Sequence, residues 1–316
     1  MSAGEFEIIA RYFAAHDARR DVLLGIGDDA AVLECDAHKR LVVAMDTIVE
    51  GVHFLPNTDA YDVGYRALAV NLSDIAAMGA VPSWMTLSLS LPRSDETWVQ
   101  QFADGLFGLA RQHDVVLVGG DTVKGPLVVT VQIAGWVESD RWLTRSGAKP
   151  GDLLYVSGVP GEAAAGLAMI KNGAERSPAH DHLRTRLLRP EPRIKLGREL
   201  RGLASSAMDI SDGLLTDLDK LCAASGCGAR VELERLPISA SMQQLFDRAS
   251  CVDYALAGGD DYELLFTVPA QQEHIIANLS IACTRIGEVT ADRRVECVLE
   301  GKPVNVARRG YDHFLS

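Results

Sequence analysis

No apolar run in the chain approaches the roughly 20 residues that a membrane-spanning helix needs, which argues against a membrane protein. Basic residues are the minority: 31 Lys and Arg stand against 43 Asp and Glu, a net charge of −12, and no basic run occurs. A nucleic-acid partner would require such a patch, so none is expected. The opening stretch "MSAGEFEIIARYF" lacks a basic segment followed by an apolar one, so no secretory signal is expected. The six cysteines, Cys35, Cys222, Cys227, Cys251, Cys283 and Cys297, never form a C-x-x-C. That spacing argues against a zinc site or a disulfide framework and suits reduced thiols in the cytoplasm. No G-x-x-x-x-G-K-[ST] is present, which excludes a P-loop.

What is present is an ordinary globular composition, 47% hydrophobic and 23% charged over 316 residues, long enough for two domains. Residues 4–15 read as an amphipathic helix. "DVLLGIGDDAAVLE", "KRLVVAMDTIVEGVHF" and "SWMTLSLSLP" read as strands. "DAYDVGYRALAVNLSDIAAMGA" reads as a helix ending at Gly79, with Pro82 beyond it. "DETWVQQFADGLFGLARQH" is acidic at its start and basic near its end, as a helix dipole favours. "VVLVGGDT" and "GPLVVTVQIAGWVE" follow as strands. The turn-rich "TRSGAKPGD" marks the expected boundary between residues 1–146 and 147–316. Beyond it come the strand "LLYVSG", helices to about residue 203, a helix from about Leu214, and the strands "ARVELERL" and "YELLFTVP". A helix near 271–279 and further strands close the chain.

One pattern recurs: carboxylates after an apolar stretch and glycines. "LLGIGDDAAV" carries Asp28 and Asp29, "VVLVGGDT" carries Gly119, Gly120 and Asp121, "AMDISDG" carries Asp209 and Asp212, and "YALAGGDD" carries Asp260 and Asp261. Glycine lets a backbone approach a ligand, and strand ends are where α/β folds expose functional loops. Any one of these aspartates could equally cap a helix or form an Asx-turn. Asp46 follows "LVVAM", a run typical of a buried strand, where an unpaired charge is costly. Asp74 lies inside a mostly apolar helix, with Asn71 three residues earlier on the same face, and either pairs with a buried cation or binds metal. Asp29, Asp46, Asp74, Asp121 and Asp209 are hard oxygen donors without His or Cys alongside, a set that selects Mg²⁺. "GIGDDA" fits the loose dinucleotide pattern G-x-G-x-x-A, but its acidic pair would repel a pyrophosphate and "AAVLE" continues as strand. Arg145 could clamp a phosphate or be a solvated loop arginine. His53 and Tyr311 could each contact a ligand or simply pack.

Together, "GEFEIIARYF", "GIGDDAAV", "MDTIVEGVHFLP", "ALAVNLSDIAAMGA", "VGGDT", "LTRSGAKPGD", "DISDGL", "GGDDYELLFT" and "GYDHF" closely resemble the thiamine-monophosphate kinase family, within the aminoimidazole ribonucleotide synthetase superfamily. The resemblance runs from the first residues to the last few. It implies a two-domain α/β and α+β fold: an N-terminal α/β domain that pairs with a second copy into an intersubunit β-barrel, and a C-terminal α+β domain. It implies ATP as donor, Mg²⁺ as cofactor, thiamine monophosphate as acceptor and a homodimer. By the same resemblance, metal ligands fall on Asp29, Asp46, Asp74, Asp121, Asp209 and Asp212. ATP contacts fall on Gly119, Gly120, Asp121, Arg145 and Ser211, and thiamine monophosphate contacts on His53, Asp260 and Tyr311. Two departures stand out. Ala44 and Met45 replace the hydroxyl residues frequent before the strand aspartate, and Asp260 replaces a frequent glutamate.

The chemistry agrees with an acceptor that is already a phosphate. A kinase acting on an alcohol needs a base, and the acids here look committed to metal. A phosphate monoester with a second pKa of about 6 is largely dianionic at pH 7 and needs none. Two alternatives belong to other classes. One is another superfamily enzyme, such as selenophosphate synthetase, but nothing before Gly25 resembles its reactive Gly-rich segment and Cys35 falls past the acidic pair. The other is a sensor that binds MgATP without turnover.

Overall fold

The computed structural model describes residues 4–14, 19–27, 29–306 and 310–311. Asp28, the last residue of the first expected helix and the "DHF" of "GYDHF" lie outside the described residues. The chain forms two compact units, one of Met1–Ile75 with Ala80–Asp140, the other of Ala76–Gly79 with Arg141–Ser316.

In the first unit, α1 (Glu5–Ile8) runs on as a π-turn over Ile9–Phe13. The segment "DVLLGIGDDAAVLE" is two short antiparallel strands, β1 (Val22–Leu24) and β2 (Val32–Leu33), with the acidic stretch in the loop between them. Gly27 has φ +120° there, a conformation that only glycine adopts readily. The main sheet holds β3 (Lys39–Val49), β4 (Val81–Leu91), β5 (Val116–Lys124) and β6 (Val128–Glu138), in the order β3-β6-β4-β5. Only β4 and β5 run parallel, joined through α3 (Glu96–Gln112). The Asp95 side chain caps α3 by accepting from the Trp98 N–H, which explains why the acidic start reads as a helix boundary. Helix α2 (Ala60–Ala77) meets α3 closely at Gly64 and Gly105, where an added Cβ would stand 2.0 Å from a carbonyl oxygen of the other helix.

One face of this sheet carries Ile48, Met85, Leu87, Leu89, Val129, Val131 and Ile133, all buried. The other face is covered at one end, where Val22, Ala31 and Leu33 pack on buried Trp84, Val116 and Val118, and is open over β3. Leu41, Val43 and Met45 of β3 are 48%, 50% and 65% exposed, and Val81 and Val123 are also exposed. The "LVVAM" run, which reads as a buried strand, is only half-buried at the alternate residues Val42 and Ala44 and exposed at the other three.

The second unit is built on a seven-stranded sheet in the order β13-β12-β9-β11-β7-β10-β8. Its strands are β7 (Leu153–Ser157), β8 (Ser206–Asp209), β9 (Gly228–Glu232), β10 (Leu264–Val268), β11 (Cys283–Thr290), β12 (Val295–Leu299) and β13 (Lys302–Val304). Leu154, Val156, Val231, Leu265 and Ile286 of the sheet form one core with Leu214, Leu218 and Leu221 of α7 (Leu214–Ser225). The helices α4 (Glu162–Lys171), α5 (Pro178–Leu188) and α6 (Ile194–Glu199) fill the helical stretch expected before residue 203. Two short helices have no counterpart in the sequence reading, α8 (Ala240–Leu245) and α9 (Arg248–Ala257). Their N-caps Ser239 and Asp247 accept from the Met242 and Ser250 N–H groups, a signal present in the sequence. A final short helix, α10 (Glu273–Ile276), lies near the position expected. No helix among the described residues is long and apolar enough to cross a membrane.

None of the six cysteines forms a disulfide, as their spacing suggests. Burial pushes the Cys222 and Cys283 thiols up to about 12, which leaves little thiolate at neutral pH. Iodoacetamide at pH 8 should therefore modify exposed Cys35 well before Cys222 or Cys283. Peptide mass mapping of the folded protein checks the order, and early labelling of Cys222 would contradict the packing around α7.

Candidate active site

The first-unit residues are placed by β3, α2 and β5. Asn71 of α2 is fully buried, and its Oδ1 accepts the Asp46 N–H at 3.0 Å. Its Nδ2 donates to the Ala67 carbonyl at 2.9 Å. β3 is an edge strand, so an amide that faces away from β6 needs such a partner. Asn71 thus ties α2 to β3 at Asp46, and half-buried Asp74 lies about one turn further along α2. His53 follows β3 in a tight turn, and its Nδ1 accepts the Val49 N–H at 3.1 Å. That role leaves the proton of the neutral ring on Nε2, which can donate to a ligand.

Asp121 lies elsewhere in the sheet. Asp46 shares a register row with Val131, Leu87 and Gly120, whereas Asp121 belongs to the next row, with Ser88, Thr130 and Thr47. Adjacent rows point to opposite faces, and three strand spacings separate β3 from β5, about 14 Å. The structure therefore does not bring Asp46 and Asp121 together within one chain. Asp29 is exposed in the β1–β2 loop. Among the described residues, no three His, Cys, Asp or Glu side chains are grouped to hold a metal by themselves.

The glycines divide into two kinds. Gly119 has nothing within 4 Å of where a Cβ would stand, so its backbone is open to a ligand. At Gly120 a Cβ would lie 2.0 Å from the Leu87 carbonyl oxygen, and at Gly259 it would lie 2.5 Å from that of Ser211. These two are required by the protein's own packing.

In the second unit, β8 ends in buried Asp209, and the tripeptide Ile210–Ser211–Asp212 leads into α7. Every main-chain polar group of the tripeptide is used. The Ile210 N–H donates to the Glu263 carbonyl at 2.8 Å, and its own carbonyl accepts the Tyr262 N–H at 2.9 Å. The Ser211 and Asp212 N–H groups both donate to Oδ2 of Asp217 at 3.0 Å. The Ser211 carbonyl accepts the Asp260 N–H at 2.8 Å, and the Asp212 carbonyl accepts the Tyr311 N–H at 3.0 Å. Three sequence-expected contacts, Ser211, Asp260 and Tyr311, are thereby tied to one stretch of backbone. Lys220 bridges the carboxylates of Asp212 at 2.5 Å and Asp217 at 2.8 Å. Burial disfavours its charge, but the hydrogen bonds it donates to Asp212 and Asp217 outweigh that and raise its pKa. Arg145 is exposed, and its carbonyl accepts from the Ser225 hydroxyl at 3.0 Å.

The "DDYE" run after Gly259 alternates in role. Asp260 and Tyr262 have left-handed backbones, φ +70° and +53°, and the Tyr262 hydroxyl donates to Asp260 Oδ1 at 3.1 Å. Asp261 turns inward and accepts the Gly161 and Ala163 N–H groups at the start of α4, at 2.6 and 3.2 Å. Burial raises its carboxyl well above the usual range, and the two amides pull against that. Glu263 is fully buried and accepts from Ser157 Oγ at 2.5 Å, from Arg186 at 2.7 Å, and from Arg193 through two nitrogens at 2.7 and 2.5 Å. Sequence reasoning missed Asp217 and Glu263. The signal for Glu263 was there: a charge in the apolar strand "YELLFTVP", the same sign that singles out Asp46.

Glu263→Ala removes the fully buried carboxylate shared by half-buried Arg186 and Arg193, leaving Arg186 with Glu162 and Arg193 with exposed Glu191. The expected loss of stability is about 3–5 kcal/mol, read as a lower urea midpoint. A change under about 1 kcal/mol would mean that Glu162 and Glu191 suffice as partners for the two arginines.

Two family models match the chain: the AIR synthase related protein N-terminal domain over residues 27–137, and the corresponding C-terminal domain over residues 149–300. The chain is 49% identical to thiamine-monophosphate kinase of Escherichia coli K12, over 99% of both chains. The crystal structure of thiamine-monophosphate kinase from Stenotrophomonas maltophilia matches with a TM-score of 0.85 and 46% identity, covering 90% of this chain and 93% of that one. AaThiL complexed with AMPPCP and TMP matches with a TM-score of 0.80 and 34% identity, covering 92% of each. The motifs, the two-unit architecture and these matches agree, and the chain belongs to the thiamine-monophosphate kinase family of AIR synthase related proteins.

Proposed function

We propose that this chain transfers the γ-phosphate of ATP directly to thiamine monophosphate, forming thiamine diphosphate and ADP in thiamine biosynthesis. The full-length identity to enzymes of that one reaction carries the reading. In the first unit, Gly119, Gly120 and Asp121 contact ATP and His53 donates from Nε2 to thiamine monophosphate. In the second, Arg145 and Ser211 contact ATP, while Asp260 and Tyr311 contact thiamine monophosphate. Arg145, exposed in its turn, is free to swing onto a phosphate.

Asp29, Asp46, Asp74, Asp121, Asp209 and Asp212 are proposed to hold Mg²⁺. The donor set fits. Mg²⁺ keeps several waters and binds through one or two carboxylates plus substrate phosphates, so no all-protein cage is needed. The separation of Asp46 from Asp121 favours different ions for the two. Once bound, Mg²⁺ supplies charge neutralisation between the approaching phosphates and in the transferring group. The protein's own residues then have the task of alignment. No side chain is needed as a base, because the acceptor oxygen is already anionic near pH 7.

The open sheet face supports a homodimer. Leu41, Val43, Met45 and Val81 present an apolar patch that a second copy covers as the two sheets close into a barrel. Light scattering should give twice the chain mass, and Met45→Lys should give a monomer. A wild-type monomer at micromolar concentration would contradict the shared barrel. Six cysteines without a disulfide are in keeping with a cytoplasmic enzyme.

The deciding assay incubates the protein with MgATP and thiamine monophosphate and separates the products. Equal thiamine diphosphate and ADP, abolished by EDTA, is the expected result. ADP with free phosphate would point to another superfamily reaction, and binding without turnover to a sensor. Asp46→Asn should lower turnover by about two orders of magnitude or more while keeping its melting transition. Wild-type turnover would remove Asp46 from the site.

A further inference from the structure

Asp217 has no place among the ligand contacts proposed above, yet it is fully buried in the first turn of α7. A buried carboxylate must be paid for by hydrogen bonds, and the partners of Asp217 are unusual in kind. Its Oδ2 accepts two successive backbone amides, Ser211 and Asp212, and its Oδ1 takes Lys220. Two consecutive N–H groups converging on one anion form the type of nest that elsewhere cradles phosphate. Here the protein fills the nest itself. Those amides are therefore closed to nucleotide, and any ligand contact from this loop must come from the side chains.

The same tripeptide supports both substrates. Its Ser211 and Asp212 side chains are on the nucleotide and metal side of the reading. Its carbonyls hold the backbones of Asp260 and Tyr311, the thiamine monophosphate side. We infer that Asp217 is a positioning residue: by fixing the backbone of Ser211 and Asp212, it sets the nucleotide and thiamine monophosphate contacts of this unit at once. The inference rests on the ligand contacts proposed above.

The consequence is quantitative. If a weaker anchor lowers the fraction of molecules with the competent loop, the apparent affinity of each ligand falls by that same fraction. A first ligand that restores the loop then removes the deficit for the second. A residue that matters only for global stability would not produce this coupling.

Calorimetric titrations of the full chain with thiamine monophosphate and with Mg-AMPPCP, each alone, provide the test. Asp217→Asn keeps the volume and one acceptor oxygen, so it preserves the fold better than Asp217→Ala, and a cooperative melt confirms it. It exchanges charge-assisted hydrogen bonds for neutral ones. Both affinities should fall by one common factor, on the order of tenfold. Thiamine monophosphate titrated into the variant with saturating Mg-AMPPCP should recover most of its wild-type affinity. Unchanged affinities, loss of one ligand alone, or no recovery would overturn the inference. Asp260→Ala and Ser211→Ala are the controls. Asp260→Ala should weaken thiamine monophosphate alone and Ser211→Ala the nucleotide alone. If neither control moves, the contact reading fails and the inference falls with it. If the controls behave and Asp217→Asn does not, only the inference fails.

Discussion

The second unit depends on one buried carboxylate that binds two backbone amides. Asp217 accepts from Ser211 and Asp212 where the chain leaves β8 and enters α7. Hydrogen bonds to a charged acceptor are each worth about 1.5–3 kcal/mol, and without them two amides would lose their partners at a crowded turn. The remaining main-chain groups of the tripeptide are bonded to Glu263, Tyr262, Asp260 and Tyr311. Residues 50 to 100 positions apart in the chain are in this way held to one backbone segment.

Buried charge is used twice more, and each time it joins a strand to a helix. Asp261 supplies the acceptor that α4 lacks at its start, since Gly161 offers no side chain to cap it. Glu263 faces Arg186 of α5 and Arg193 just before α6. A buried ion pair gains little over an apolar contact of the same size, but removing one member is severe. Such pairs specify a single arrangement. Here that arrangement leaves Asp260 and Tyr262 in left-handed conformations, which cost strain that only the surrounding bonds can hold.

The first unit works differently. Its helices approach through Gly64 and Gly105, and Asn71 carries that packing to the amide of Asp46. Its sheet has one buried face and one that is open over β3, so the same strand that positions Asp46 also displays Met45 to solvent. The alternation of a strand makes the two roles compatible: successive side chains serve opposite faces.

The sequence by itself determined the family and most of the element order, though not α8 and α9, because periodicity, caps and motif order are local properties of the chain; it reads Asp121 as a strand end, whereas β5 runs on to Lys124. Asp46 and Glu263 also betray themselves locally, as charges inside apolar strands. The tertiary structure alone decided which of these groups meet. That Gly120 and Gly259 serve the protein's packing, whereas Gly119 stays open, depends on backbone from another segment. That Asp46 and Asp121 stand apart depends on strand order and register. That the amides before α7 are already taken depends on Asp217, whose position in a first helical turn reads, from sequence, as nothing more than a favourable charge near the helix dipole. Strand order and long-range hydrogen bonds are set by packing between distant segments, and no local pattern encodes them.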